Sequence, residues 1–303
     1  MALKDIKAKI AATKRMNTVT RAMEAVSAVK MRKTQQSAFA GRPYARAGLS
    51  VLARVSGTSD SARHPLMQAR ASVARIAVVV MTSDKGLAGG LNSGVLKAVQ
   101  VAIAPYAKDA VTVFAYGKKG EEFFARRGYE IAKAYENRRD DIDIKVMEDL
   151  GQELSEGFRI GLYDQVVAVY SNFKSTFEQA PTARTLLPLS TEGVSALIKD
   201  IKPQKGAWSA EVSTEAPTGY TVESSTGDIL SVLVPRLVAV SLYHMLLEAK
   251  ASEHSARMVA MKNASDKSKE VARDLTRTYN KVRQAAITRE VSEIVGGREA
   301  LAT

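Results

Sequence analysis

From Leu3 to about Val55 the sequence offers almost nothing that would end a helix. Gly41, Pro43 and Gly48 are the only breakers, and Ala, Lys, Arg and Met, all good helix formers, dominate the rest. At ~1.5 Å per residue such a helix is roughly 80 Å long, with "AGRPYA" (40–45) as the place for a bend. The other terminus reads the same way. Asp228 can cap a run from Ile229 to about Val295, Pro235 falls in its first turns, and Gly296 with Gly297 supplies a stop. This second helix would be about 100 Å long. Neither fits inside a compact domain, so each needs a partner helix, and the simplest partner is the other terminus.

The apolar spacing agrees with that pairing. Leu3, Ile6 and Ile10 begin a stripe, and Met16, Val19, Met23 and Val26 continue it at three-four spacing in a shifted register. Leu275, Tyr279, Val282 and Ala286 repeat at four, three and four, the seam spacing of a coiled coil. The expected arrangement is an antiparallel coiled coil of 1–55 with 229–303, protruding beyond a globular part.

Between the helices the chain reads as α/β. "RIAVVVMT", "AVTVFAY" and "DQVVAVYSNF" are strands, "TARTLLPLS" adds one more, and "NSGVLKAVQVAIAPYA", "KKGEEFFARRG" and "VMEDLGQELSEGFRIGL" are helices. Strands alternating with helices predict crossover units and a largely parallel sheet over 73–190. Residues 191–228, rich in Gly, Ser, Thr and Pro, read as a connecting segment. "RIAVVVM" and "GDILSVLVP" fall short of the roughly 20 apolar residues that cross a bilayer, so membrane association is expected only through a partner. The charged start "MALKDIKAKI" does not read as a secretory leader, which gives the expectation of a cytoplasmic chain.

Charge is divided unevenly. The net +12 comprises +10 in residues 1–54, +4 in 229–303 and −2 between them, so the basic character belongs to the helical ends and calls for an acidic partner. The chain has no cysteine, which excludes disulfides, thiolate nucleophiles and zinc-thiolate sites. His64, His244 and His254 are too scattered for a metal site or a triad.

"TSDKGLAGGLNSG" (82–94), directly after the first strand, looks able to hold a phosphate. A phosphate loop needs GxxxxGK followed by Ser or Thr; Gly89 and Gly94 have the separation, but Val95 and Leu96 stand where Lys and Ser/Thr are required. The dinucleotide pattern GxGxxG is absent as well. The expected role is a tight turn, with Asn92 or Ser93 capping the next helix. The acidic groups Glu121 with Glu122, and Asp140, Asp141 and Asp143, read as a solvated helix face and a turn rather than an acid/base pair. No catalytic, cofactor or metal site is expected. Two classes remain at this level: a nucleic-acid-binding protein with a basic coiled-coil arm, and a mechanical subunit whose shaft sits inside a protein partner. Scattered aromatics on the arms, with no stacking platform, weigh against the first.

Four blocks carry a specific resemblance. "TRAMEAVSAVKMRK" (20–33) with "GRPYA" (41–45), "TSDKGLAGGLN" (82–92), "ASEHSARMVAMKNASDKSKE" (251–270) and "YNKVRQAAITREVSEIVGG" (279–297) resemble the gamma subunits of the rotary F-type ATP synthases. The resemblance implies two long terminal helices forming an antiparallel coiled coil plus a central Rossmann-like α/β domain. It also implies a noncatalytic rotor shaft inside a ring of alpha and beta subunits, bound to the epsilon subunit and a membrane ring of c subunits. No cofactor and no nucleic acid are implied. The location implied is the cytoplasmic face of the bacterial inner membrane, reached only through the complex. Met23 matches the family's shaft methionine near an acidic lever of the beta subunits; Arg257, Gln284, Thr288 and Glu290 match polar contacts with loops of the ring. The tip beyond Glu290 (Val291, Ile294, Val295, Gly296) suits a sliding bearing. Lys85 and Ala88 replace an Arg and a Cys common in the family, and the inserted cysteine pair of chloroplast forms is absent.

Overall fold

The computed structural model describes residues 3–55, 64–138, 142–190, 193 and 226–300. Helix α1 spans Leu3–Val55, running through Pro43. It is followed by β1 (Ile76–Met81), α2 (Leu91–Ile103), β2 (Val111–Tyr116), α3 (Lys118–Arg126), β3 (Glu130–Tyr135), α4 (Ile144–Arg159), β4 (Gln165–Phe173) and β5 (Gln179–Leu187). The last helix, α5, spans Thr226–Ala300. Asp228 therefore lies inside its first turn rather than at its cap, and the helix passes Gly296 and Gly297 without stopping. Both glycines cost helix stability, about 1 kcal/mol each relative to Ala, but neither carries a proline behind it to force an end. Most of the 191–228 segment falls outside the described residues.

Contacts divide the chain into two units, one of Met1–Ser27 with Met258–Thr303, the other of Ala28–Arg257. The larger unit holds a five-stranded sheet in the order β3-β2-β1-β4-β5. Its β1–β2, β1–β4 and β2–β3 pairs are parallel, while β4–β5 is antiparallel. The apolar run of β1 is buried at every position because both sheet faces are covered. One face, with Val78 and Val80, packs on Val95, Val99 and Phe124 of α2 and α3. On the other, Ala77, Val79 and Met81 share a core with Leu150, Leu154 and Phe158 of α4 and with Leu237, Leu242 and Leu246 of α5. Helices α4 and α5 approach closely: a Cβ added at Gly151 would stand 3.1 Å from backbone atoms of Ala239. Strand β3 has no counterpart in the sequence reading. "EIAKAY" is an edge strand with no fully buried residue, so it lacks an apolar run.

One expectation about membranes needs correction. Within α5 an 18-residue window reaches a mean hydropathy of 1.8, long and apolar enough by composition to cross a bilayer. The sequence reading ended that run at Pro235, but the helix carries it on through "LVAVSLYHMLL". Leu230, Val234, Leu237, Val238, Leu242, Leu246 and Leu247 are buried in the core, which accounts for the apolarity without a membrane.

In the smaller unit, α1 and α5 lie side by side. Asn17 Nδ2 donates to the Ser265 carbonyl at 2.6 Å and to its hydroxyl at 2.9 Å. In the larger unit Gly48 of α1 faces Leu237 of α5, so partner numbers fall on one helix as they rise on the other, and the pair is antiparallel. On α5 the inward positions are Met261, Ser265, Ser268, Ala272, Leu275, Tyr279, Val282 and Ala286, an unbroken four-three repeat. The expected stripe from Leu275 to Ala286 is therefore part of the seam.

On α1 the outcome differs. Leu3, Ile6 and Ile10 do face inward, but the seam continues through Thr13, Asn17, Thr20, Glu24 and Ser27. Met16, Val19 and Val26 are 60%, 57% and 54% exposed, with only Met23 half-buried at the edge of the row. A helix keeps one register unless residues are inserted, so a three-four repeat begun at Leu3 leads to these polar positions. The apolar row of the shifted register is left on the outside.

Candidate functional site

The strand order places a switch point beside β1: the chain moves to β2 and β3 on one side, then returns to β4 on the other. In open α/β sheets the crevice at the strand C-termini next to such a point is where ligands bind. Here the chain fills that crevice itself.

The loop that follows β1 is closed by its own side chains. Thr82 Oγ1 accepts from Gly120 N at 2.8 Å, and Asp84 Oδ1 accepts from Lys118 N at 2.8 Å. The Asp84 carboxylate thus stands at the N-terminus of α3, the position where a bound phosphate would meet free amides. Its other oxygen accepts from Asn137 N at 3.0 Å, and the side chain is only 7% exposed. Gly117 makes this approach possible. Its φ is 107°, and an added Cβ would fall within the van der Waals sphere of the Thr82 carbonyl oxygen. Burial, with Asp84 and Tyr135 nearby, pushes the Tyr116 phenol up to about 12, so the phenol beside the Asp84 carboxylate stays protonated.

Neither expected helix cap is used. Asn92 turns back, its Oδ1 accepting from Ser83 N at 3.0 Å and its Nδ2 donating to Ser83 Oγ at 2.8 Å, while Ser93 Oγ donates to Gly90 O. The N-cap position of α2 is Gly90. The two ends of "TSDKGLAGGLN" are stapled together, and Leu87 is held at a left-handed φ of 64° with its side chain exposed.

Helix α5 closes the remaining opening. Lys250 Nζ donates to Asn137 O at 3.3 Å, Ser252 Oγ to Ser171 O at 2.8 Å, and Ser255 Oγ to Thr176 O at 2.6 Å. Arg257 Nη2 donates to the carbonyls of Lys85 and Gly86 at 3.4 and 3.3 Å and pairs with Glu253 at 2.7 Å. Four side chains on two turns of one helix thus hold the segments that follow β1 and β3 and the end of β4 with the turn after it. Glu248 lies behind them beside Tyr170, whose phenol is pushed well above its ordinary range, first by burial and then by that carboxylate.

The structure brings the sequence-derived residues together only in part. Arg257 is buried, its guanidinium committed to Glu253 and the loop. Met23 is half-buried beside the exposed row of Met16, Val19 and Val26. Gln284 and Thr288 are exposed one turn apart, with Thr288 Oγ1 donating to Gln284 O at 3.0 Å. Glu290 is also exposed, but six residues from Gln284 it points to another side of the helix. Ile287, Val291 and Ile294 form a second exposed apolar row on either side of it in sequence, 51%, 53% and 72% exposed. Of the acidic groups, Asp143 caps α4 by accepting from Lys145 N, Glu122 pairs with Lys119, and Asp140 and Asp141 lie outside the described residues. Among the described residues no cluster of three metal-ligating side chains occurs.

A sheet of this order flanked by two very long terminal helices, with its ligand crevice taken by one of them, defines an α/β subunit built around a helical pair. The family model described as ATP synthase matches residues 2–301. The ATP synthase gamma chain of Roseiflexus castenholzii is 40% identical over 302 residues, covering 99% of this chain and 98% of that one. The gamma chain of Chlorobaculum parvum is 38% identical over 306 residues, with the same coverage. The chain belongs to the ATP synthase gamma chain family. Among solved structures it is similar in fold to a chain of the Tetrahymena thermophila mitochondrial ATP synthase central stalk and c-ring. That likeness has a TM-score of 0.57 at 23% identity, over 82% of this chain and 99% of that one. A chain of the Euglena gracilis mitochondrial ATP synthase rotor gives 0.61 at 16% identity, over 94% and 98%.

Proposed function

We propose that this chain is the central rotor shaft of a proton-driven ATP synthase, transmitting torque between a membrane ring of c subunits and a catalytic head of alpha and beta subunits. The observation that carries the reading is the outward placing of the apolar rows Met16–Val19–Val26 and Ile287–Val291–Ile294 on a helical pair whose seam runs through other residues. Exposed apolar rows of this length mark a surface that a protein partner covers. Met23, Gln284, Thr288 and Glu290 lie on or beside these rows and are the proposed contacts with the head. Arg257 is proposed to act on the same contacts through the loop it holds.

The shaft makes and breaks no phosphoanhydride bond. The position where a phosphate would sit is occupied by Asp84, and the crevice by α5. What the shaft supplies is asymmetry: each of three identical catalytic sites faces a different side of it, and the difference in contact free energy biases each site's conformation. The basic ends favour an acidic lever on the beta subunits. The epsilon subunit and the c ring hold the foot, which puts the chain at the cytoplasmic face of the inner membrane without its entering the bilayer.

The test is reconstitution. The purified chain is expected neither to hydrolyse ATP nor to bind it at micromolar concentration, and addition of alpha and beta subunits is expected to yield a stable hydrolytic complex. Tight ATP binding by the chain alone, or a head that assembles and works equally without it, refutes the proposal.

A further inference from the structure

The chain has ten methionines and no cysteine, so its thioethers are the sulfur groups open to a mild oxidant. The fold treats them unequally. Met31, Met81, Met147, Met245 and Met261 are buried, at 7% exposure or less, and Met23, Met67 and Met258 are half-buried. Among the described residues Met16 is the one methionine open to solvent, at 60%. Its place on α1 is the second observation. Met16 begins the outward row that continues through Val19, Met23 and Val26, and Val19 beside it is 57% exposed. Oxidation of a thioether follows its exposure, so the methionine an oxidant reaches first stands in the apolar surface proposed above to be covered by the head.

We propose that Met16 is an oxidation site, and that its sulfoxide keeps the free chain out of the catalytic head until a reductase removes it. The proposal rests on the rotor reading. Hydrogen peroxide transfers one oxygen atom to the Met16 sulfur and the rest of it leaves as water, the sulfur losing two electrons and the peroxide gaining them. A thiol-dependent sulfoxide reductase reverses the step: the oxygen leaves as water while two thiols close to a disulfide. The product replaces a flexible apolar side chain by a polar one whose oxygen accepts hydrogen bonds and donates none. Covering such an oxygen is unfavourable unless a donor meets it, and an acidic lever of the beta subunits presents acceptors instead. Once the head encloses the row, solvent no longer reaches Met16. Sensitivity at this site therefore belongs to the chain before assembly.

The test treats the purified full-length chain with hydrogen peroxide, stops the reaction with catalase and follows each methionine by peptide mass spectrometry. Met16 is expected to oxidise about tenfold faster than Met81, Met147 or Met245, and faster than Met23. The oxidised chain is then mixed with untreated alpha and beta subunits. The yield of hydrolytic complex is expected to fall by about fivefold, and to recover when methionine sulfoxide reductases with dithiothreitol act on the chain first. In the assembled complex Met16 is expected to oxidise about tenfold more slowly than in the free chain. In Met16→Leu, peroxide should leave the yield within about twofold of the same variant untreated, because the sensitive sulfur is gone. Three results overturn the proposal: Met16 reacting no faster than the buried methionines, an oxidised chain that assembles as well as the untreated one, or a Met16→Leu chain that loses assembly on oxidation as the parent does. If the untreated chain forms no complex, the rotor reading fails, and the peptide rates still judge the oxidation site separately.

Discussion

Replacing Asp84 by alanine tests whether the crevice is closed by the chain itself. The carboxylate accepts from two backbone amides, Lys118 N at 2.8 Å and Asn137 N at 3.0 Å, and is 7% exposed. Hydrogen bonds to a charged partner contribute about 1.5–3 kcal/mol each, and both amides would lose theirs together. Allowing for non-additivity and for water reaching the exposed side, the cost is about 3–5 kcal/mol, a large share of the ~5–15 kcal/mol that stabilises most domains. Asp84→Asn keeps one carbonyl oxygen and is expected to cost about half as much. Urea unfolding followed by tyrosine absorbance in the near ultraviolet gives the global number, and hydrogen exchange at Lys118 and Asn137 gives the local one. The alanine variant also opens the amides at the start of α3, so inorganic phosphate should slow exchange there in the variant and not in the parent. A cost below about 1 kcal/mol, with exchange at Lys118 unchanged, refutes the view that this carboxylate stands in for a bound anion.

Gly117→Ala forces both a left-handed φ and a contact with the Thr82 carbonyl, and should cost at least about 3 kcal/mol in the same unfolding assay, well beyond an ordinary surface change. Val19→Glu with Val26→Glu should leave the stability of the isolated chain within about 0.5 kcal/mol while sharply reducing assembly with the head, read by gel filtration; loss of both would place these residues in the internal seam instead. Tyr116 has a folded-state value raised from 10.0 to about 12, so its contribution is complete below pH 10 and is lost as the pH rises from 10 towards 12. Tyr116→Phe should therefore flatten the fall in stability across that window, measured by thermal melts at stepped pH. Arg257→Ala should accelerate exchange at 85–88 and lower turnover of the assembled enzyme, with Arg257→Lys intermediate because a lysine cannot reproduce the fork between Glu253 and the loop carbonyls.

Several features were legible in the sequence because a single strong physical term decides them. The two long helices follow from stretches almost free of breakers, and β1, β2 and β4 follow from apolar runs bounded by polar turns. What escaped depends on competing terms. The α1 seam was misplaced because apolarity was taken to mean inside, while the register begun at Leu3 leads to Thr13, Asn17, Thr20 and Ser27. Thr13 and Thr20 donate to carbonyls of their own helix, and Asn17 donates across to Ser265. Strand β3 was missed because an edge strand needs only backbone pairing, and "EIAKAY" has no apolar run to announce it. Asp84 looked like one turn residue among several, since its role depends on Lys118 and Asn137 arriving from distant parts of the chain.

The buried polar side chains of α5 were the hardest to see. Lys250 and Arg257 are residue types normally found in water, and their burial depends on carbonyls from the segments after the strands, while Glu253 is buried beside the Arg257 guanidinium it pairs with. A hint was present in "ASEHSAR", where small Ala and Ser residues alternate with charges and no continuous solvent face can be drawn. Of the residues matched to the family's contacts, Gln284, Thr288 and Glu290 are available to a partner, Met23 is partly so, and Arg257 faces inward.

The central claim is that this chain rotates. With the assembled head fixed to a surface through its beta subunits and a gold particle on a cysteine introduced into this chain's exposed α/β surface, ATP is expected to drive unidirectional rotation in three equal steps per turn. ATP hydrolysis at full rate with the particle stationary would contradict the account.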